Sequence, residues 1–578
     1  MAITWANILE WQTGPLDEIA QSLFEASQGL REAYQMGQDD LSAVQSEGEA
    51  VTAMRATTIT NLASLERALT NVNGALMAIE GARDGVGHIL AQVNDILAEA
   101  ATKQCEIDAG GSVQPMASAP KTDLILIDAF ALATRVKEIV EYADQVDTDL
   151  YHALQDINND RYTDGDGANN KVVGVPDLPQ PNWSPSQNAA WWNSLTYEQQ
   201  QFLIDRRPDD IRHLDGLPAV VRDKANHHAL HGYLHADGKY RQGALKDAEE
   251  EAIEAQKAFD KAPLDGKRHL AKERLDRATE ALEDLIAIDT QTDDMTRRRR
   301  GLPPAYLLDF DYDKKYQRTT AIVSTGNPDT ATHVSTLVPG IGTNVRGDLG
   351  YYMEFNERLR KQTAHAGIDP NSVATISYLG YVAPKNSIPD GGIIQAADIG
   401  YANRAAPKLA QFEEGLRASA NANGHAFINT LLTHSYGSTT GGKSATLMAP
   451  GTVDRLILAG SPGGGVNSID EYSVPKEHIY VSAVPEGDSV EGLGAVIEYG
   501  KDPRKLEGIT HLSGDATDSA EYTPYPNRIF STANHMSYFH EGTRTSQDFA
   551  NIVAGGNPTT DEEWAAIKAA RAKENNGH

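Results

Sequence analysis

FINTLLTHSYGSTTGGKSAT, residues Phe427 to Thr446, runs an apolar strand into Thr433-His434-Ser435-Tyr436-Gly437 and leaves it through a run of small residues. The five residues fit G-x-S-x-G, a strand-to-helix turn that lifts a serine above a sheet edge, except that Thr433 stands in place of the first glycine. Such a turn holds the serine in strained backbone geometry, and bulky neighbours would strike the adjoining strand or helix. Ser435 is therefore the candidate nucleophile.

A serine needs a base and an orienting acid, and with this turn they follow it in the order serine, acid, histidine. Asp488, in PEGDSV just past the apolar run His478–Val484, is placed to fix the histidine tautomer and stabilise the imidazolium. His535, in RIFSTANHMSYFHEG, takes the general-base and general-acid role. His434, His511 and His540 compete for that role, but His434 adjoins the nucleophile and should point away from it. The oxyanion donors expected are the Tyr436 N–H and an N–H from LVPGIGTNVRGD, either that of Ile341 or that of Gly342. Ser461 also follows a strand, but Pro462 lacks the N–H an oxyanion hole would require there.

Outward from this centre, Gly and Pro rise from Gly301 and short apolar runs alternate with helical stretches, the signature of a mostly parallel α/β sheet. Candidate strands are His333–Val338, Val373–Leu379, Ala426–Thr433, Arg455–Ala459 and His478–Val484. The segment Pro384–Ala405 interrupts that rhythm and reads as a cap over the site, apolar enough for a small-molecule or lipid ester.

The runs VPGIGT, THSYGST, LAGSPGGGV, VPEGDSV and NHMSYF, in this order, resemble an actinobacterial α/β-hydrolase family of unknown function. LDGLPAVVRDKAN and GLPPAYLLDFD match the segments that precede its first strand, so the resemblance covers residues 190 to 555 or so. It implies an α/β-hydrolase fold and a triad on Ser435, Asp488 and His535. It implies no substrate.

Before this domain the pattern is helical. Leu16, Ile19, Leu23, Leu30, Leu41 and Val44 form one stripe, and Leu62, Leu65, Leu69, Val72, Leu76, Ile79, Val86, Leu90, Val93 and Leu97 alternate by three and four as in a coiled-coil seam. With Ser46-Glu47-Gly48 between them, the two stripes predict an antiparallel helical hairpin. The arrangement resembles the WXG-type proteins of type VII secretion, with Ser46 where their tip tryptophan stands. It equally fits a packing or oligomerisation module that binds a helical partner or a second copy. The expected divisions are a hairpin over 1–108, a helix and linker over 109–188, a helical preamble over 189–300, the catalytic domain over 301–560 and a tail over 561–578.

Composition narrows the function classes. With 51 Lys and Arg against 81 Asp and Glu the net charge is -30, which repels nucleic acid. The single cysteine, Cys105, excludes an intrachain disulfide framework. No apolar run is long enough to span a bilayer and no Sec signal opens the chain, so the expected location is the cytoplasm, or outside it by a type VII-like route. No cofactor or metal is expected. His227, His231 and His235 repeat at helical spacing without a completing ligand, and DINNDRYTDGDG lacks the glycine and glutamate of a calcium loop. Gly437 to Ser444 also fits the phosphate-loop pattern G-x-x-x-x-G-K-[ST], but no strand nearby ends in the aspartate a nucleotide hydrolase would need. The function expected is serine-dependent ester cleavage. The alternatives are an exported effector or interaction protein with a secondary or inactive hydrolase fold, and a nucleotide hydrolase.

Overall fold

The computed structural model describes residues 3–43, 49–120, 122–158, 178–195, 197–264, 266–385, 398–484, 488, 499–517 and 532–575. They divide into two compact units, Met1–Gln201 and Phe202–His578.

In the first unit three long helices follow the apolar stripes: α1 (Gly14–Ala43), α2 (Glu49–Thr102) and α3 (Asp123–Asn158). Asp17 lies 3.8 Å from Arg83, and Ser27 Oγ donates to Asn73 Oδ1 at 2.7 Å, so α1 and α2 run antiparallel. The expected tip, residues 46–48, falls outside the described residues. Helix α3 covers a further side of α2, where Arg135 binds Asp95 at 2.6 Å and Gly85 lies against Val146. In the far half of α2 the expected stripe is buried at Ile79, Val86 and Val93, while Leu90 is half-buried and Ile89 and Ile96 join the buried line. Ile89 and Ile96 are fully buried, packed with Trp5, Ile8, Leu132 and Val136, whereas Leu97 is 39% exposed. A straight helix drifts by about 20° per heptad from a strict seven-residue repeat, and here a third helix rewards the drift.

The second unit is built on one eight-stranded sheet: β1 (Ala305–Asp313), β2 (Arg318–Thr325), β3 (His333–Val338), β4 (Val373–Leu379), β5 (Ile428–His434), β6 (Arg455–Ala459), β7 (Ile479–Ser482) and β8 (Thr510–His511). In space the order is β1-β2-β4-β3-β5-β6-β7-β8. β1 and β2 pair antiparallel, β2 runs antiparallel to β4, and every other neighbour is parallel. The five expected strands are present, three with the expected bounds and β5 and β7 with ends shifted by one or two residues. β1 and β2 were hidden because an antiparallel hairpin at a sheet edge tolerates charge, and DFDYDKKYQR does not read as a buried strand.

Along each inner strand successive side chains enter opposite cores. Leu431, Leu456 and Leu458 join Leu409 and Phe412 of α8 (Gly400–Ala422) on one face. Leu432 and Ile457 join Leu285 and Ile288 of α6 (Gly266–Thr292), Phe355 of α7 (Val345–Gln362) and Phe549 of α10 (Arg544–Val553) on the other. The two helices α5 (Ala244–Lys261) and α6 form a charged hairpin, and α6 lends its apolar side to the sheet. The preceding helix α4 (Ala219–His231) carries His227, 3.4 Å from Asp223, and His231, 3.1 Å from Asp289. No three potential metal ligands cluster among the described residues.

One acid sits inside the first core. Glu413 of α8 is fully buried and accepts from Asn429 Nδ2 at 2.9 Å, and burial pushes its carboxyl up to about 7. A raised folded-state pKa means full stability below the unfolded value, lost as pH rises through the folded one. Glu413→Gln is expected to be neutral in melting temperature near pH 4.5 and to outlast the wild type above pH 7, by up to about 3 kcal/mol. Thermal melts across that range check it, and a constant difference at all pH values would contradict it.

Candidate active site

Ser435 follows β5 and caps α9 (Tyr436–Leu447) with φ 57° and ψ -132°, a backbone region a non-glycine residue occupies only when its surroundings force it. Its N–H donates to Ala459 O at 3.0 Å, so β6 holds the turn from beneath. The turn closes because glycines stand where packing is tightest. A Cβ on Gly340 would come within 2.5 Å of Ser435 Cβ, so only glycine lets the loop after β3 lie against the nucleophile.

The missing elbow glycine has a counterpart. The Thr433 methyl group occupies the place a Cβ on Gly441 would take, one turn into α9, while Thr433 Oγ1 donates to Ile457 O at 2.7 Å. The helix surrenders the side chain the strand keeps.

Asp488 and His535 meet directly. His535 Nδ1 lies 2.7 Å from Asp488 Oδ1, and the second carboxylate oxygen accepts from the Tyr538 hydroxyl at 2.7 Å. Tyr538, fully buried, accepts in turn from the Val484 N–H at 2.9 Å, so the acid is anchored to the end of the β7 segment. Gly460, which follows the carbonyl that takes the Ser435 N–H, lies under this group: a Cβ there would be 3.1 Å from His535 Cε1 and 3.2 Å from Asp488 Oδ2. Ser435 and His535 thus flank one glycine, although among the described residues the Ser435 hydroxyl makes no hydrogen bond to the imidazole. Such bonds commonly tighten only when substrate is present.

His434 points away from the serine, as the turn requires, and into the packing beneath His535. Its Nε2–H donates to His535 O at 2.8 Å, and the two rings lie 4.5 Å apart. Burial, then the adjacent His535, pushes its imidazole down to about 3, which keeps it neutral. Neither Tyr538 nor this use of His434 was read from the sequence. The only available signal was the three-residue step from His535 to Tyr538, which puts both on one side of a helical turn.

Of the expected oxyanion donors, the Tyr436 N–H is the first of α9 and has no partner within the helix. The Gly342 N–H is taken by Pro384 O at 2.7 Å, because the strand end after β4 lies beside the loop. Of the two N–H groups expected from this loop, that of Gly342 is thus already engaged. Arg318 secures the same loop, donating to Thr343 O at 2.7 Å and to Ala383 O at 2.8 Å. Of the segment read as a cap, residues 386–397 lie outside the described residues. Past it, Asp398 O accepts from the Tyr436 hydroxyl at 2.6 Å.

Gly437 to Ser444, which fit the phosphate-loop spacing, all lie within α9. Their backbone groups serve the helix, so they cannot wrap a phosphate, and the nucleotide alternative loses its motif.

The fit between Thr433 and Gly441 generates a test. Gly441→Ala is expected to destabilise the protein by about 1–3 kcal/mol through overpacking, and adding Thr433→Ser, which removes the methyl but keeps the hydroxyl bond, to restore most of the loss. Additive effects in a double-mutant melting series would refute the fit.

Residues 314–498 match a family model described as alpha/beta hydrolase, a span that includes Ser435 and Asp488 and ends before His535. Two uncharacterized proteins of Mycobacterium tuberculosis, from strains CDC 1551 and H37Rv, are each 26% identical over 400 residues covering 65% of this chain. The chain spans 57% of the length of these curated relatives. No solved structure matches it. With the sheet order and the strand-to-helix turn at Ser435, the match makes residues 314–498 an α/β-hydrolase domain.

Proposed function

We propose that the second unit cleaves an ester-type bond of a small molecule or lipid through an acyl-enzyme on Ser435. The observation that carries this reading is the buried chain Tyr538–Asp488–His535 ending beside the strained Ser435 turn. In the reaction Ser435 Oγ attacks the carbonyl carbon while His535 Nε2 takes the hydroxyl proton. The tetrahedral oxygen receives the N–H groups of Tyr436 and Ile341. Collapse breaks the bond to the leaving oxygen, which takes the proton from His535 and departs as the alcohol. Water then repeats the cycle on the acyl-serine and releases the acid. Asp488 stays ionised throughout, orienting His535 and stabilising its imidazolium.

A fluorophosphonate probe is expected to label the wild type on Ser435, located by peptide mass spectrometry, and to leave Ser435→Ala unlabelled. Absence of an adduct, under conditions that label a control serine hydrolase, would turn the reading toward an inactive scaffold. Asp488→Asn should lower ester turnover by a factor on the order of 10³–10⁴. Tyr538→Phe should cost about tenfold, the worth of one hydrogen bond to a charged group, and equal turnover in Tyr538→Phe and wild type would remove Tyr538 from the chain.

A further inference from the structure

At the sheet edge that holds Ser435, two exposed cations, Arg404 and Lys315, form no ion pair among the described residues. The antiparallel pairing of β2 with β4, Ala321 opposite Leu379, brings the β1–β2 turn to the edge where the parallel strands end, which is the edge that holds Ser435. Tyr316 from this turn and Tyr401 from the first turn of α8 face one another with ring centroids 5.3 Å apart. Arg404, three residues along α8, lays its guanidinium over both rings, 5.3 Å from Tyr316 and 4.9 Å from Tyr401, and Lys315 Nζ stands 5.2 Å over Tyr316. Tyr401 packs with Ile399 against Ala402, Tyr436 and Tyr499, and Tyr436 is the residue after the nucleophile.

In a chain of 81 acidic and 51 basic residues, exposed cations such as Lys246, Lys257 and Arg274 pair with carboxylates. Among the described residues neither Arg404 nor Lys315 has one within 4.0 Å. Asp398 is the acid nearest Arg404 along the chain, and its Oδ1 accepts from the Gly400 N–H at 2.7 Å. Asp313 Oδ1 is likewise engaged by the N–H groups of Lys315 and Tyr316, both at 2.9 Å. Arg318 lies further in, with its guanidinium on two backbone carbonyls. Tyrosine faces hold the cations in place without cancelling their charge.

We propose that the ester cleaved at Ser435 carries an anionic group, a phosphate or a carboxylate, bound by Arg404 and Lys315 over the Tyr316–Tyr401 pair. This rests on the ester-cleaving reading of Ser435. The protein's overall negative charge disfavours anions at long range, so the preference is local and belongs to the mouth.

The test uses the full chain and three matched chromogenic acyl esters, alike except for a neutral, a carboxylate or a phosphate group on the alcohol. The expected result is a higher kcat/KM for one or both anionic esters than for the neutral one, with the ratio shrinking as salt is raised. Which anion gains more identifies the source. Arg404→Gln should lower that ratio about fivefold and Lys315→Gln about twofold, while Arg404→Lys retains most of it, which separates charge from packing. Equal kcat/KM for all three esters, or a ratio unchanged in Arg404→Gln, would overturn the proposal and leave the hydrolase reading intact. No turnover of any ester together with no fluorophosphonate adduct on Ser435 would overturn both.

Discussion

The backbone of Ser435, held at φ 57°, constrains most of what surrounds it. A residue in that region stays there only if its neighbours leave it no alternative. Here the neighbours are backbone as much as side chain. The Ser435 N–H is fastened to β6, Gly340 presses the loop after β3 against the serine, and Gly437 accommodates the carbonyls of Val338 and Pro339. Gly442 does the same for the carbonyl of Gly464 on the loop after β6. Each contact requires a missing side chain, which explains why the strand's threonine is matched by a glycine across the turn.

The polar groups around this turn divide by burial. Asp488 and Tyr538 are enclosed and joined by a hydrogen bond, and the other carboxylate oxygen of Asp488 holds the His535 imidazole. His434 is enclosed as a neutral ring and supports His535 through its carbonyl. Lys315 and Arg404, by contrast, are exposed on tyrosine faces. The groups proposed to react are thus held by the interior, and those proposed to bind an anionic substrate group lie on the rim.

In the first unit, long helices obtain their stability from one another. No helix among the described residues is both long enough and apolar enough to cross a membrane. Apolar patches remain on α3, where Leu126, Ile127 and Phe130 are 60, 65 and 77% exposed. The three-and-four spacing foretold the helices and their antiparallel pairing, but a stripe read from one chain segment cannot say how many neighbours will cover it. Val86 and Val93 of the expected stripe are buried, but with α3 alongside Ile89 and Ile96 take the places expected of Leu90 and Leu97.

Sequence by itself determined the α/β class, the inner strands, and Ser435, Asp488 and His535 as candidates, because apolar periodicity and a small-residue turn are local properties. Tertiary structure decided the rest. The β1–β2 hairpin is charged enough to pass for a loop, and only pairing with β4 makes it a sheet edge. Only the fold brings Pro384 O, from the segment after β4, onto the Gly342 N–H and so distinguishes it from that of Ile341. Tyr538 and Arg404 are ordinary residues in the chain, and what they touch depends on segments tens of residues away. Hydrogen bonds and unpaired charges are relations between distant segments, and no local pattern records them.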